Sequence, residues 1–312
     1  MIHTSFRRAA FAALALVLAA APARAQQPAA GGLAVQVAPH AFVVTEQGRN
    51  LVLITGARES MVAGVQEPAL VAKAQHALEA MHAQPVRYAL LMMGPGAVGF
   101  EDGGWEGRGA LAMAHEGLRY RIIRARPGAD SVALRTRPTH APSMGFSEVV
   151  QVAVGREEDA HVVKQPDGAT GSDVAVHFER AGVLYLSSLT SDGYPEIDAE
   201  EGGTLTGLIK TVEEFATNFA EAPQVIEPIV PARGPLMTLQ EMRDFRDMLT
   251  AVRDAVKPML DAGKSADEVV AARPTARFDA RWGRGPVTPE AFVRMAYAAL
   301  AKEKEAAAAP TP

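Results

Sequence analysis

Val86-Arg87-Tyr88-Ala89-Leu90-Leu91-Met92-Met93, followed by Gly94-Pro95-Gly96-Ala97-Val98-Gly99-Phe100-Glu101-Asp102-Gly103-Gly104, is a largely apolar run that ends in a glycine-rich loop. A run of this length without alternation is the pattern of a strand covered on both faces. Gly94, Gly96 and Gly99 match the spacing G-x-G-x-x-G, which in a dinucleotide unit opens a helix whose N-terminus meets the pyrophosphate. Here the loop runs on into Phe100-Glu101-Asp102-Gly103-Gly104-Trp105-Glu106-Gly107, a poor helix former. The stretch therefore reads as a buried strand and a remodelled loop.

Upstream, two β-rich runs, Leu33 to Thr45 and Asn50 to Thr55, flank Glu46-Gln47-Gly48-Arg49 and predict a hairpin. Leu70, Ala74, Ala77, Leu78 and Met81 recur at helical spacing and predict an amphipathic helix from Glu67 to Ala83, with Pro68 in its first turn. Downstream, Ala110 to Ala114 reads as a strand and His115 to Arg124 as a helix. Beyond a proline-rich loop, strands are predicted at Val149 to Val154, Ala160 to Val163, Val174 to Phe178 and Val183 to Ser187. A helix at Thr204 to Phe219 and a strand at Gln224 to Val230 follow. The order strand, strand, helix, strand occurs in each half, which predicts two packed sheets with helices outside. The end of the chain reads as helical: Leu239 to Ala262, a capping box at Ser265-x-x-Glu268, and a helix opened by Thr288-Pro289 that runs to about Lys304.

Arg7 and Arg8, the apolar run Ala9 to Ala21, and Ala23-Arg24-Ala25 ahead of Gln26 have the layout of a secretory signal peptide. Cleavage near Ala25 would deliver the chain to the periplasm or outside the cell. The resulting domain plan is a signal peptide at 1–25, a flexible lead at 26–32, a main domain at 33–236, a helical extension of that domain at 237–305, and a disordered tail at 306–312. Removing the signal lowers Lys plus Arg from 31 to 28 and leaves Asp plus Glu at 36, so the remaining chain is acidic and a poor partner for nucleic acid. No further apolar stretch suggests a membrane span. The absence of cysteine excludes disulfides and thiolate ligands or nucleophiles.

Several words within this order of elements resemble the metallo-β-lactamase fold superfamily of zinc hydrolases, over about Leu33 to Leu300. They are Pro85-Val86-Arg87-Tyr88, Ala114-His115-Glu116, Gly193-Tyr194-Pro195 with Ile197-Asp198, Gly202-Gly203-x-Leu205, and Val230-Pro231-x-x-Gly234-Pro235. Arg246-Asp247-Met248-Leu249 and Arg273-Pro274-Thr275-Ala276 resemble the tail of a bacterial subgroup. The resemblance implies an αββα sandwich with a C-terminal helical extension. It also implies where zinc ligands would stand.

The family's H-x-H-x-D-H word falls on the loop quoted above. Aligned from the strand, its ligand positions are Met93, Pro95, Ala97 and Val98; aligned from Gly103-Gly104, they are Gly96, Val98, Phe100 and Glu101. The next histidine falls on Ala169, the bridging aspartate on Ser188, and the last histidine on Arg233; the supporting aspartate of an early Asp-Thr-Gly word falls on Ile54. Zinc needs lone pairs on N, O or S, which alkyl side chains lack and a guanidinium does not offer. On this reading no metal and no cofactor is held. Met93, Pro95, Val98, Glu101, Ala169, Ser188 and Arg233 become the residues lining a former metal cleft.

The eight histidines form no H-x-H or H-x-x-x-H pair, and no G-x-S-x-G elbow is present. His76 and His82 read as solvated helix positions, and His115 as structural. Ser187 and Ser188 with Arg233 opposite suggest a site for a small anionic group, while an ion pair of Arg233 with Asp167 or Asp173 is the plainer alternative. The sequence thus predicts an exported, non-catalytic protein that binds a small anionic ligand or a protein partner. The alternative is a hydrolase rebuilt around Ser188, Arg233, Asp167 or Glu101.

Overall fold

A computed structural model describes residues 26–64, 67–92, 104–124, 142–220 and 228–308, without the side chains of 218–220. Its strands are β1 (Gln27–Ala29), β2 (Ala34–Ala38), β3 (Ala41–Glu46), β4 (Arg49–Thr55), β5 (Ser60–Gly64), β6 (Val86–Leu91), β7 (Leu111–His115), β8 (Met144–Phe146), β9 (Val149–Val154), β10 (Glu158–Lys164), β11 (Val174–Phe178), β12 (Val183–Thr190) and β13 (Ile229–Arg233). Its helices are α1 (Pro68–Ala80), α2 (Glu116–Arg124), α3 (Leu205–Ala220), α4 (Leu239–Asp261), α5 (Ala266–Ala271), α6 (Asp279–Trp282) and α7 (Pro289–Ala308).

The strands run in the order β1-β2-β3-β4-β5-β6-β7-β8 on one side and β13-β12-β11-β10-β9 on the other. Pairing is antiparallel from β1 to β5 and from β9 to β12, and parallel from β5 to β8 and between β12 and β13. One core, including Phe42, Leu51, Leu53, Met92, Val162, Phe178 and Tyr185, takes residues from both groups of strands and from α1 and α2. A second core joins Leu184 and Leu186 of β12 to α3, α4 and α7 through Leu208, Val212, Phe245, Leu249 and Phe292. Tyr194 stacks on Phe292 with ring centroids 4.7 Å apart and donates to Asp279 Oδ1 at 2.9 Å. The C-terminal helices are therefore part of the sandwich and cover its second sheet.

A single register pair, Arg49 with Arg233, joins the two groups of strands. Beside it lies Asn50, buried, whose Nδ2 donates to the carbonyls of Pro231 (2.9 Å) and Gly234 (2.8 Å). Its Oδ1 accepts from Thr45 Oγ1 at 2.7 Å, and its backbone carbonyl accepts from Tyr185 OH at 3.1 Å. Gly64, at φ +142°, lies so close that a Cβ would stand 2.8 Å from that same carbonyl. At the other end of β4 the sheets are tied again. His40 Nε2 meets Glu158 Oε2 at 2.9 Å, and the buried Glu158 carboxylate also accepts the backbone N–H groups of Asp159, Arg180 and Ala181.

Most predicted elements form within a few residues of their expected bounds, and the Ser265–Glu268 capping box is present in both directions. Five differences from these expectations are found. The run Leu33 to Thr45 is two strands, because Pro39-His40 turns the chain between β2 and β3. β5 has no counterpart in the sequence reading, since Ser60-Met61-Val62-Ala63-Gly64 is too short and too small a run to signal a strand, yet it is fully buried between β4 and β6. The stretch expected as a flexible lead pairs as β1 with β2 and then turns at Gly31 and Gly32, both at positive φ. β13 passes through Pro231 to Arg233; a proline is tolerated there because β13 pairs with β4 only at Arg233, leaving no ladder on that side of Pro231. At the C-terminus α7 continues through Ala308, beyond the expected start of the tail.

Replacing Asn50 by alanine leaves two buried carbonyls and the Thr45 hydroxyl without their partner. The expected loss is about 3 kcal/mol of unfolding free energy, at ~1–3 kcal/mol per abandoned buried group, read by urea denaturation. A loss below about 1 kcal/mol would show that water replaces the amide at the seam.

Candidate functional site

The carboxyl ends of β12 and β13 lie next to the start of β4, and a small cavity opens there. It is bordered by Arg49, Ser187, Ser188, Thr190, Glu196 and Arg233, with Ala169, Leu189, Pro195 and Ala232. Its volume is about 30 Å³, room for two or three water-sized groups at ~10–15 Å³ each.

Three of the residues expected in a former metal cleft, Ala169, Ser188 and Arg233, do come together around this cavity. Met93, Pro95, Val98 and Glu101 lie outside the described residues, as do Ala97 and Phe100. Arg233 is held at 12% side-chain exposure, its Nε 3.1 Å from Asp192 Oδ1 and its Nη1 4.0 Å from Glu196 Oε1. Thr190 Oγ1 fixes Asp192 by donating to the same Oδ1 at 2.7 Å. The expected alternative partners of Arg233 are engaged elsewhere: Asp167 pairs with Lys164 at 2.8 Å, and Asp173 is hydrogen-bonded by Thr170 and Ser187. Asp192 sits two residues past β12 and faces β13 only through the fold, so no local pattern announces it. Arg49 pairs with Glu67 at 3.2 Å.

Gly234 follows Arg233 at φ +95°, and a Cβ there would meet Ser191 Oγ and Asp192 N. The tight turn is what brings Asp192 alongside Arg233. Below the cavity, Ser188 Oγ donates to Gln165 Oε1 at 3.1 Å. Ser187 Oγ accepts from Val174 N at 2.9 Å and donates to Asp173 Oδ1 at 3.3 Å. Asp173 is fully buried; burial pushes its carboxyl up to about 6, against the opposing effects of the Thr170 and Ser187 hydrogen bonds and of Lys164. His115, which the sequence reads as structural, accepts from Gly117 N through Nδ1 at 3.1 Å and meets Ser147 O through Nε2, so its ring joins α2 to the loop after β8. Desolvation, followed by Lys164, lowers its pKa. His76 and His82 are exposed, as expected.

Comparison with known proteins gives a fold. No family model matches the chain, and no curated protein matches its sequence. Among solved structures, the stereoselective inverting sec-alkylsulfatase Pisa1 of a Pseudomonas species superposes with a TM-score of 0.63 at 11% identity, over 89% of this chain and 52% of the sulfatase. A double mutant of the same sulfatase gives 0.62 at 12% identity with the same coverage. A metallo-β-lactamase from Pontibacter korlensis gives 0.49 at 14% identity, over 70% of this chain and 98% of that one. The fold is of the metallo-β-lactamase type, an αββα sandwich with C-terminal helices. This chain spans about half the length of the sulfatase.

The metallo-β-lactamase fold implies zinc, and the described residues do not fit it. Among them no group of three or more His, Asp or Glu side chains could hold a metal ion. What the cavity presents is two guanidinium groups, three hydroxyls that are already hydrogen-bonded, and one carboxylate already facing Arg233. A fixed positive charge at 12% exposure repels a divalent cation.

The buried Asp173 carboxyl gives the site a pH signature. Its folded pKa lies above the unfolded value of 3.8, so the folded state binds the proton more tightly, and the stability it contributes is complete below that value and lost as pH rises through about 6. Unfolding free energy measured between pH 4 and 7 is expected to fall through this window in the wild type more steeply than in Asp173→Asn. Parallel profiles for the two proteins would assign the buried proton elsewhere.

Proposed function

We propose that this chain is an exported, non-catalytic protein built on the metallo-β-lactamase fold, and that the cavity between Arg233, Arg49 and Ser188 holds a small anionic group. The observation that carries the reading is Arg233 itself. Resemblance puts it at the last zinc-ligand histidine, and it is anchored there by Asp192 and Glu196. Ser188 and Ala169, at two further ligand positions, border the same cavity and supply at most one hydroxyl. Retained carboxylates without metal would repel one another in a buried cluster, whereas a guanidinium, a serine and an alanine pack without that cost. For an anion the guanidinium groups are suitable, because they donate charge-assisted hydrogen bonds, while the Ser188 hydroxyl is already donated to Gln165.

A hydrolase rebuilt around Ser188 has less support. Its hydroxyl donates to Gln165, an amide that cannot serve as a general base, and Asp167 is engaged with Lys164. Export is proposed from the signal-peptide pattern ending at Ala25.

Three measurements test the reading together. Elemental analysis of protein purified from zinc-supplemented medium is expected to find far less than one zinc per chain, and lactam, thioester, phosphodiester and alkyl sulfate substrates are expected to give no turnover. Sulfate or acetate is expected to raise the melting temperature of the wild type but not of Arg233→Ala. Stoichiometric zinc with turnover would overturn the non-catalytic reading; equal responses of the two proteins to the anions would overturn the anion site.

A further inference from the structure

We propose that β9 pairs with β9 of a second copy of the chain across a two-fold axis, extending the second sheet through the dimer. The free edges of the sandwich differ in how they are protected. β1 and β8 are three residues each, and β1 carries Pro28. β13 is joined to β4 and bridged to Met237. β9 ends the other side with six residues, Val149-Val150-Gln151-Val152-Ala153-Val154, containing no charge, proline or glycine. Edge strands exposed in monomers are usually short, charged, or broken by proline.

Among the described residues nothing pairs with the outer side of this edge. Lys164 N–H donates to Glu148 O at 2.7 Å, in register with Val149 opposite Val163. Hydrogen-bonded pairs therefore fall on Val150, Val152 and Val154, and the N–H and C=O groups of Val149, Gln151 and Ala153 point away from β10. Among the described residues none of these groups has a partner. Val149 is 61% exposed and its cross-strand neighbour Val163 is 39% exposed, two of the four most open large hydrophobic side chains among the described residues.

The sequence around β9 selects a second copy as the occupant. With Val152 opposite Val152 of the other copy, Gln151 stands opposite Ala153, so that these two residues exchange backbone hydrogen bonds on either side of the axis. The same register brings Glu148, one residue before β9, to the level of the turn after β9 that carries Arg156. Both side chains are exposed, and among the described residues neither makes an ion pair. A two-fold axis forms this charge pair twice, one at each end of the shared ladder. The inner faces, carrying Val150, Val152 and Val154, continue from one copy into the next.

Sedimentation equilibrium of the full chain tests the proposal. The wild type is expected at twice the chain mass, and Gln151→Pro at the mass of one chain with unchanged circular dichroism, because the N–H it removes is one that β10 does not use. Glu148→Arg or Arg156→Glu alone is expected to weaken the dimer roughly tenfold, as like charges come face to face, and the double variant is expected to restore it; this arm remains decisive if the proline variant does not fold. A wild type that stays monomeric at 100-fold above ~1 μM, a dimer indifferent to Gln151→Pro and to both charge reversals, or a monomer that instead takes up a foreign extended peptide on β9 would overturn it.

Discussion

Two sheets that meet along one edge must satisfy the backbone groups where they join, and in this protein a buried amide does so beside the Gly234 N–H bond to Gly48 O. Asn50, itself buried, donates to two carbonyls of the Pro231–Gly234 turn while accepting from Thr45 at the sheet's rim. The arrangement fixes the start of β4 against the end of β13 and so fixes the relation of Arg49 to Arg233. Like charges directly opposite on adjacent strands are unfavourable. Each is neutralised from outside the pair, Arg49 by Glu67 and Arg233 by Asp192. The cavity floor thus inherits its electrostatics from the joint: what stands at the seam is a pair of guanidinium groups with their acids.

This explains why the floor around Ser187 and Ser188 is built from neutral or protonatable groups. Gln165 receives the Ser188 hydroxyl, and Asp173, raised to about 6, is tied to Thr170 and Ser187. The acids paired with Arg233 already stand beside this floor. With Arg233 in place the charge requirement is already met from the side, and additional buried carboxylates would raise the energy of the folded state.

The fold was legible in the sequence where the pattern was long and regular. The helical spacing of Leu70 to Met81 and the capping box at Ser265 are local signals, and both elements appear where they were read. β5 was not legible, because a five-residue run bounded by serine and glycine looks like a turn until β4 and β6 close over it. The site was legible in part. Resemblance brought Ala169, Ser188 and Arg233 to one place, and the cavity gathers them. Asp192 and Asn50 could not be found that way, since their partners lie 41 and 181 residues distant in the chain and no local spacing encodes such a meeting.

The bond between His40 and Glu158 has a mechanical consequence. It lies at the far end of β4 from the Arg49–Arg233 pair, roughly 20 Å away at ~3.3 Å per strand residue, so the layers are fastened at two separated points. A hinge needs one free end, and this sandwich has none along that line. Whatever settles at the mouth of the cavity meets a stiff frame, and any adaptation must come from the side chains and loops at its rim.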